Sequence, residues 1–188
     1  MIAQPAPCPG TQPYNRRTGA QLAWWVTREH LKKPSTSLLA AATAAAIATV
    51  AWPLGSAPVI ALLVAGLAVF YLLVAAGTIA AHLATLRRWK RSGWLVGYFT
   101  AHASQLVHPD NGQWVLSEHH ARRRGPGWGA QLRAVVWPHL AREADRAGVV
   151  VRTATKVPAL ANQYLRDMPG LHVEDEAGGV IRLVRDPG

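Results

Sequence analysis

Acidic residues are scarce in this chain. Against 20 lysines and arginines stand only 10 aspartates and glutamates, a formal charge of +10 over 188 residues. There is a single cysteine, Cys8, so neither a disulfide framework nor a cysteine-based metal site can form within one chain. The adjacent His119 and His120 do not make a metal pair, because neighbouring strand residues face opposite ways and no Asp, Glu or Cys at sensible spacing joins them. From Pro34 to Leu86 there is no Asp, Glu, Lys or Arg at all. So long an uncharged run is rare outside membranes. Half of the residues are hydrophobic. Combined with strong positive charge, that points to a membrane protein with basic flanks, or a nucleic-acid binder, rather than an ordinary cytosolic enzyme.

The uncharged run divides at Trp52-Pro-Leu-Gly-Ser-Ala-Pro58. Its first half, Ser37 to Ala51, is alanine-rich and only marginally apolar. Its second, Val59 to Leu83, is rich in Leu, Val, Ile and Phe and long enough for the roughly 20 residues a bilayer span needs. The expectation is a transmembrane helical hairpin over residues 37–86. Ala40, Ala44 and Ala48 recur at small-xxx-small spacing and suit close approach to Gly66 or to a second chain, hence a homo-oligomer. Arg16, Arg17, Arg28, Lys32 and Lys33 precede the hairpin, and Arg87, Arg88, Lys90 and Arg91 follow it. The positive-inside rule therefore places both termini in the cytoplasm of a multi-pass protein of the cell membrane, its basic residues meeting anionic lipid headgroups.

Residues 1–19 carry Pro5, Pro7, Pro9, Gly10 and Pro13 without periodicity and read as a flexible tail. Residues 20–36 mix Leu22, Trp24, Trp25, Val26 and Leu31 with Arg28, Lys32 and Lys33, as an interfacial amphipathic helix does. Residues 92–188 read as an α+β layer with a mixed sheet. Trp94 to Phe99 and Ala103 to His108 are candidate strands. Pro109-Asp-Asn-Gly112 turns the chain into the strand Gln113 to Glu118. Beyond it, Leu132, Val135, Val136, Leu140 and Ala144 follow helical spacing to about Ala147, with Pro138 expected to kink or end that helix. Val149-Val-Val151 reads as a buried strand, Pro158 to Met168 as a helix, and Leu171 to Glu174 with Val180 to Leu183 as a closing hairpin.

Between strand and helix lies Arg124-Gly-Pro-Gly-Trp-Gly-Ala-Gln-Leu132. Alternate glycines let backbone bend and approach a ligand, and the first turn of the following helix offers N–H groups to an anion such as phosphate. At these residues the chain resembles the GCN5-related N-acetyltransferases. Arg124, Gly127 and Gly129 fit that family's Arg/Gln-x-x-Gly-x-Gly/Ala signature, and Ala159-Leu-Ala-Asn-Gln-Tyr-Leu-Arg166 with Pro169-Gly-Leu-His172 resembles its second motif, Leu171 standing where Phe is usual. The resemblance covers roughly Trp114 to Arg185. It departs from the family where the hairpin occupies the place of the early strand and helices, where Pro126 removes an N–H donor, and where Pro138 interrupts the long helix.

The resemblance implies acetyl-CoA or another acyl-CoA as a substrate. Its pyrophosphate would lie on backbone from Gly125 to Ala130, including Gly127, Trp128 and Gly129, with Arg122, Arg123 and Arg124 adding charge and Asn162 assisting. It also implies that strand Trp114 to His119 splays from Val149 to Arg152, leaving backbone for the pantetheine and the acyl carbonyl. Tyr164 would protonate the departing thiolate, and Glu118, His119 or His120, of which at most one histidine faces the site, would take the proton of the attacking amine. The chain thus reads as a membrane-anchored, cytoplasm-facing N-acetyltransferase. The alternatives are an inactive binding or assembly module on the same anchor, or a membrane-tethered nucleic-acid contact. No DNA-binding motif supports the last, and the basic residues crowd the membrane flanks.

Overall fold

The computed structural model describes residues 2–91, 93–123, 125 and 127–188. The chain forms two compact units. One joins residues 1–20 to residues 86–188, and the other is residues 21–85. The sheet domain is therefore discontinuous in sequence, which corrects the expectation of a domain confined to residues 92–188.

Its sheet contains β1 (Val96–Phe99), β2 (Ala103–Asp110), β3 (Gln113–Ala121), β4 (Val151–Thr155), β5 (His172–Ala177) and β6 (Val180–Arg185) in the order β1-β2-β3-β4-β6-β5. Only β3 and β4 run parallel, joined by the crossover helix α4 (Trp128–Ala147). Helix α5 (Pro158–Asp167) links β4 to β5. Both two-residue hairpins use positive φ at their central residues, Asn111 and Gly112 in one and Gly178 and Gly179 in the other, the backbone that matches strand twist. The main core places Tyr98, Val107, Trp114, Leu116, Val151 and Leu183 from the sheet with Leu132, Val136, Trp137, Leu140 and Ala144 of α4.

Two features of α4 depart from the sequence pattern. Pro138 neither ends nor breaks the helix, which runs through to Ala147. Its ring removes one backbone bond, but burial of Trp137, Leu140 and Ala141 around it holds the segment helical. The buried face also differs from the apolar pattern, with Val135 exposed and Arg133 buried at 3% exposure.

The proline-rich residues 2–12 are not a loose tail. Trp94 Nε1 donates to Ile2 O, Trp114 Nε1 to Ala3 O at 3.0 Å, and Tyr98 Oη to Ala6 O at 2.9 Å. His139 Nε2 reaches the same Ala6 carbonyl, and Cys8 enters the core. Burial pushes the Cys8 thiol above its ordinary range. Gln12 then exchanges both backbone bonds with Phe99, covering the free edge of β1. Prolines cannot donate, so an extended strap held through its carbonyls is the arrangement this composition allows.

The first helix, α1 (Arg16–Leu31), opens earlier than the apolar pattern indicates, because Asn15 Oδ1 accepts from the N–H groups of Arg17 and Thr18 and caps it. In the second unit α2 (Pro34–Ala51) and a short 3-10 turn lead into α3 (Ser56–Arg91). Among the described residues α3 is the one helix long and apolar enough to cross a membrane, while Pro34–Val50 is apolar but shorter. The close approach of α2 to α3 falls at Gly66, where an added Cβ would collide with Ile47 Cδ1. It is Ile47, not the alanine repeat, that uses the gap.

Candidate active site

β3 carries two irregularities that shape the site. Its register with β2 shifts between Ser104 and Leu106, so Glu118 and His119 together oppose Gln105, and Glu118 takes φ of 50°. This is a bulge, which re-aims the side chains that follow it. Buried Gln105 holds it in place. Its Nε2 donates to Ser117 O at 2.8 Å and Leu106 O at 3.0 Å, and its Oε1 accepts from Trp137 Nε1 at 3.3 Å. On the other edge, β3 is in register with β4 only at Trp114 with Val151 and Val115 with Arg152. Past that point the strands part, and the Thr153 hydroxyl reaches Leu116 O in place of a backbone donor. The wedge was implied for residues 114–119 against 149–152, but Trp114 and Val115 still pair with Val151 and Arg152, so the parting begins only beyond them.

The glycine turn leads into α4 at the mouth of the wedge. Gly125 and Gly127 have φ of 104° and 75°, a conformation that disfavours any residue with a Cβ. The first helical bond runs from Gln131 N–H to Gly127 O at 2.9 Å, so the N–H groups of Trp128, Gly129 and Ala130 belong to the open first turn. Gly129 serves packing instead, since a Cβ there would lie 2.8 Å from His119 Nε2. Trp128 stacks on His102 at 4.2 Å between centroids, and Arg122 and Arg123 are exposed beside the turn. Arg124 and Pro126 lie outside the described residues.

Beneath this turn sits the residue that the sequence reading missed. Buried Arg133 donates from Nε to Asp167 Oδ2 at 2.6 Å, from Nη2 to Gln163 Oε1 at 3.0 Å and from Nη1 to His119 Nε2 at 2.8 Å. Its guanidinium also lies 5.3 Å from the Tyr164 ring centroid, a cation–π distance. One planar fork thus ties α4 to α5 and to the β3 bulge. The available signal was an arginine between Leu132 and Val136, one turn after Gly129, on a helix whose other inward positions are apolar.

This geometry assigns His119 a role other than base. As acceptor from Arg133 its Nε2 lone pair is occupied, and the proton of the neutral ring sits on Nδ1. Burial, then the Arg133 charge and then His120, push its pKa down to about 3. The sign follows from linkage. A histidine harder to protonate when folded contributes stability fully present above about pH 6.5 and lost as pH falls toward 3. The acid limb of unfolding is expected to shift to lower pH in His119→Gln, whose carbonyl still accepts from Arg133. An unchanged limb, read by circular dichroism against pH, would place the acid sensitivity elsewhere.

The other expected residues divide. Tyr164 is buried beside His119, with ring centroids 6.2 Å apart, and its phenol is raised by burial and eased down by Arg133. Glu118 pairs instead with His120, Oε2 to Nε2 at 2.8 Å, both half-buried. Asn162 is exposed on α5, and its neighbour Gln163 makes the contact inward.

No family model and no curated protein matches the chain. Among solved structures it is similar to a Bacillus subtilis acetyltransferase in complex with CoA, at 11% identity and TM-score 0.41, over 55% of this chain and 82% of that one. It is similar to a Thermoplasma acidophilum PaiA N-acetyltransferase in complex with coenzyme A, at 9% identity and TM-score 0.43, over 79% and 90%. A third likeness is Escherichia coli ElaA, at 17% identity and TM-score 0.37, over 50% and 70%. Similarity at this level carries none of the chemistry, which rests on the residues described above.

Proposed function

We propose that the chain is a membrane-held, acyl-CoA-dependent N-acyltransferase working at the cytoplasmic face. The observation that carries the reading is the glycine turn opening α4 directly over the parted strands β3 and β4. N–H groups of Gly127 to Ala130, with Arg122 and Arg123, suit a pyrophosphate. Backbone of β3 beyond Val115 suits the amides of a pantetheine arm. Of the residues near the bulge, the Glu118–His120 pair fits the base better than His119, because a carboxylate bound to one imidazole nitrogen leaves the other to accept a proton. In the reaction the amine nitrogen bonds to the thioester carbon and its proton passes to His120. The C–S bond then breaks, and Tyr164 supplies the thiolate proton.

Anchoring follows from connectivity. The 36 residues of α3 rise about 54 Å, more than the ~30 Å hydrocarbon core. Residues 1–20 and 86–188 form one body, so the segment between them crosses a bilayer an even number of times. If α3 crosses, α2 crosses too, and its 18 residues rise about 27 Å. That parity supports the hairpin with both termini on the side of the basic flanks.

Calorimetry of acetyl-CoA with the full chain in detergent tests the cradle. Gly127→Glu places bulk and negative charge at the turn in a conformation that favours glycine, and binding is expected to fall at least a hundredfold. Absence of binding by folded wild type would sink the proposal. The closed Arg133 network over Tyr164 favours one second reading, a binding module without turnover, and binding without CoA release on any amine would select it.

A further inference from the structure

Within residues 21–85 a cavity of about 410 Å³ lies between α1 and the second half of α3. It is lined by Val26 and His30 from α1 and by Gly77, Thr78, His82 and Thr85 from α3. A water takes about 30 Å³ of liquid, so the space suits a small organic group.

Of the four polar side chains in the lining, His82 is buried and the other three, Thr78, Thr85 and His30, are one-sided. Thr78 gives its hydroxyl hydrogen to Val74 O at 2.8 Å, and Thr85 gives its own to Ala81 O at 3.0 Å. A hydroxyl has one hydrogen, so each offers a guest only lone pairs. His30 Nδ1 lies 3.0 Å from Val26 O, which puts the proton of the neutral ring on that nitrogen and the lone pair on Nε2. Three groups therefore present acceptors. A phosphate or carboxylate head is drawn to the basic flank outside the cavity but, being itself only an acceptor, finds no donor among these three groups. Ammonium brings donors but meets the positive flank of Arg28, Lys32 and Lys33. A head bearing hydroxyls brings donors without charge.

Depth along the helix identifies what carries such a head. Gly77 stands 21 residues after Ser56, about 32 Å along the axis. With the first ~30 Å of α3 in hydrocarbon, the cavity opens at headgroup level. The side chain of Trp24, on the same amphipathic α1, is exposed as interfacial indoles are. We infer that this cavity binds the polyol head of an uncharged lipid amphiphile at the membrane surface. The inference rests on α3 being a span.

The test compares monoolein with oleate, which share an acyl chain and differ in head, by native mass spectrometry of the full chain in an amine-oxide detergent. Monoolein is expected to bind at least tenfold more tightly. A Cβ at Gly77 meets nothing within 4 Å, so Gly77→Leu fills the cavity without disturbing the helix and is expected to weaken monoolein at least tenfold. Thr78→Val and Thr85→Val remove acceptors at constant shape and are expected to weaken it several-fold. Equal binding of the two lipids, or Gly77→Leu binding monoolein as wild type does, overturns the inference. Release of the chain from membranes by alkaline carbonate, with monoolein binding intact and sensitive to Gly77, refutes the span while upholding the cavity.

Discussion

Deletion of residues 2–8 is expected to lower the stability of the sheet domain by roughly 6–9 kcal/mol. Ile2, Pro5 and Cys8 leave the protein interior, at about 1–2 kcal/mol for each apolar side chain. The indoles of Trp94 and Trp114 and the Tyr98 hydroxyl lose their carbonyl partners, at about 1 kcal/mol each. Since whole domains are stable by only ~5–15 kcal/mol, the truncated chain should populate unfolded forms at room temperature. Urea unfolding followed by tryptophan fluorescence measures this directly. Tyr98→Phe, which removes one bond and little volume, should cost only about 1 kcal/mol. A truncated chain that unfolds at the same urea concentration as the full one would show that the strap is the loose tail its composition suggests.

Arg133→Met is the second large expected effect, about 3 kcal/mol of stability lost. Removing one member of a buried, hydrogen-bonded charge pair leaves the other uncompensated, and Asp167 at 26% exposure recovers only part of that loss from water. Lysine does not substitute, because a point charge on a flexible stem cannot serve Asp167, Gln163 and His119 together. A separate readout distinguishes this network from generic packing. With the guanidinium gone, His119 loses the charge that opposes its protonation, so its pKa should rise from about 3, seen by proton NMR of the imidazole. Loss of stability with His119 unmoved would reduce Arg133 to a filler of space.

What was legible in the sequence was local. Asn111-Gly112 and Gly178-Gly179 specify their hairpins through backbone conformations that few other residues adopt, and Gly127 marks the start of α4 for the same reason. The uncharged run announces α3, the described helix long and apolar enough to cross a membrane. What was not legible depends on distant partners. Arg133 reads as one more basic residue until Asp167, 34 positions on, is seen beside it. Gln105 looks like an ordinary strand residue until Trp137 and the bulge converge on its amide. The alternation of faces correctly separates His119 from His120, yet it gives no hint that the inward ring is already occupied by an arginine. Proline content suggested disorder in residues 2–12 because composition reports the absence of helix and sheet, whereas docking through carbonyls needs neither.

The strap also sets an order of events during synthesis. Its partners Tyr98, Trp114 and His139 stand 92, 111 and 133 residues away along the chain. Between the two sides lies the whole uncharged stretch. Residues 2–12 leave the ribosome long before the surface that receives them exists, and the whole of that stretch is made in the meantime. Closure of the domain is thereby delayed until the sheet has been made: until then the edge of β1 and two indoles stay uncovered, and the chain presents itself to chaperones and proteases as unfinished.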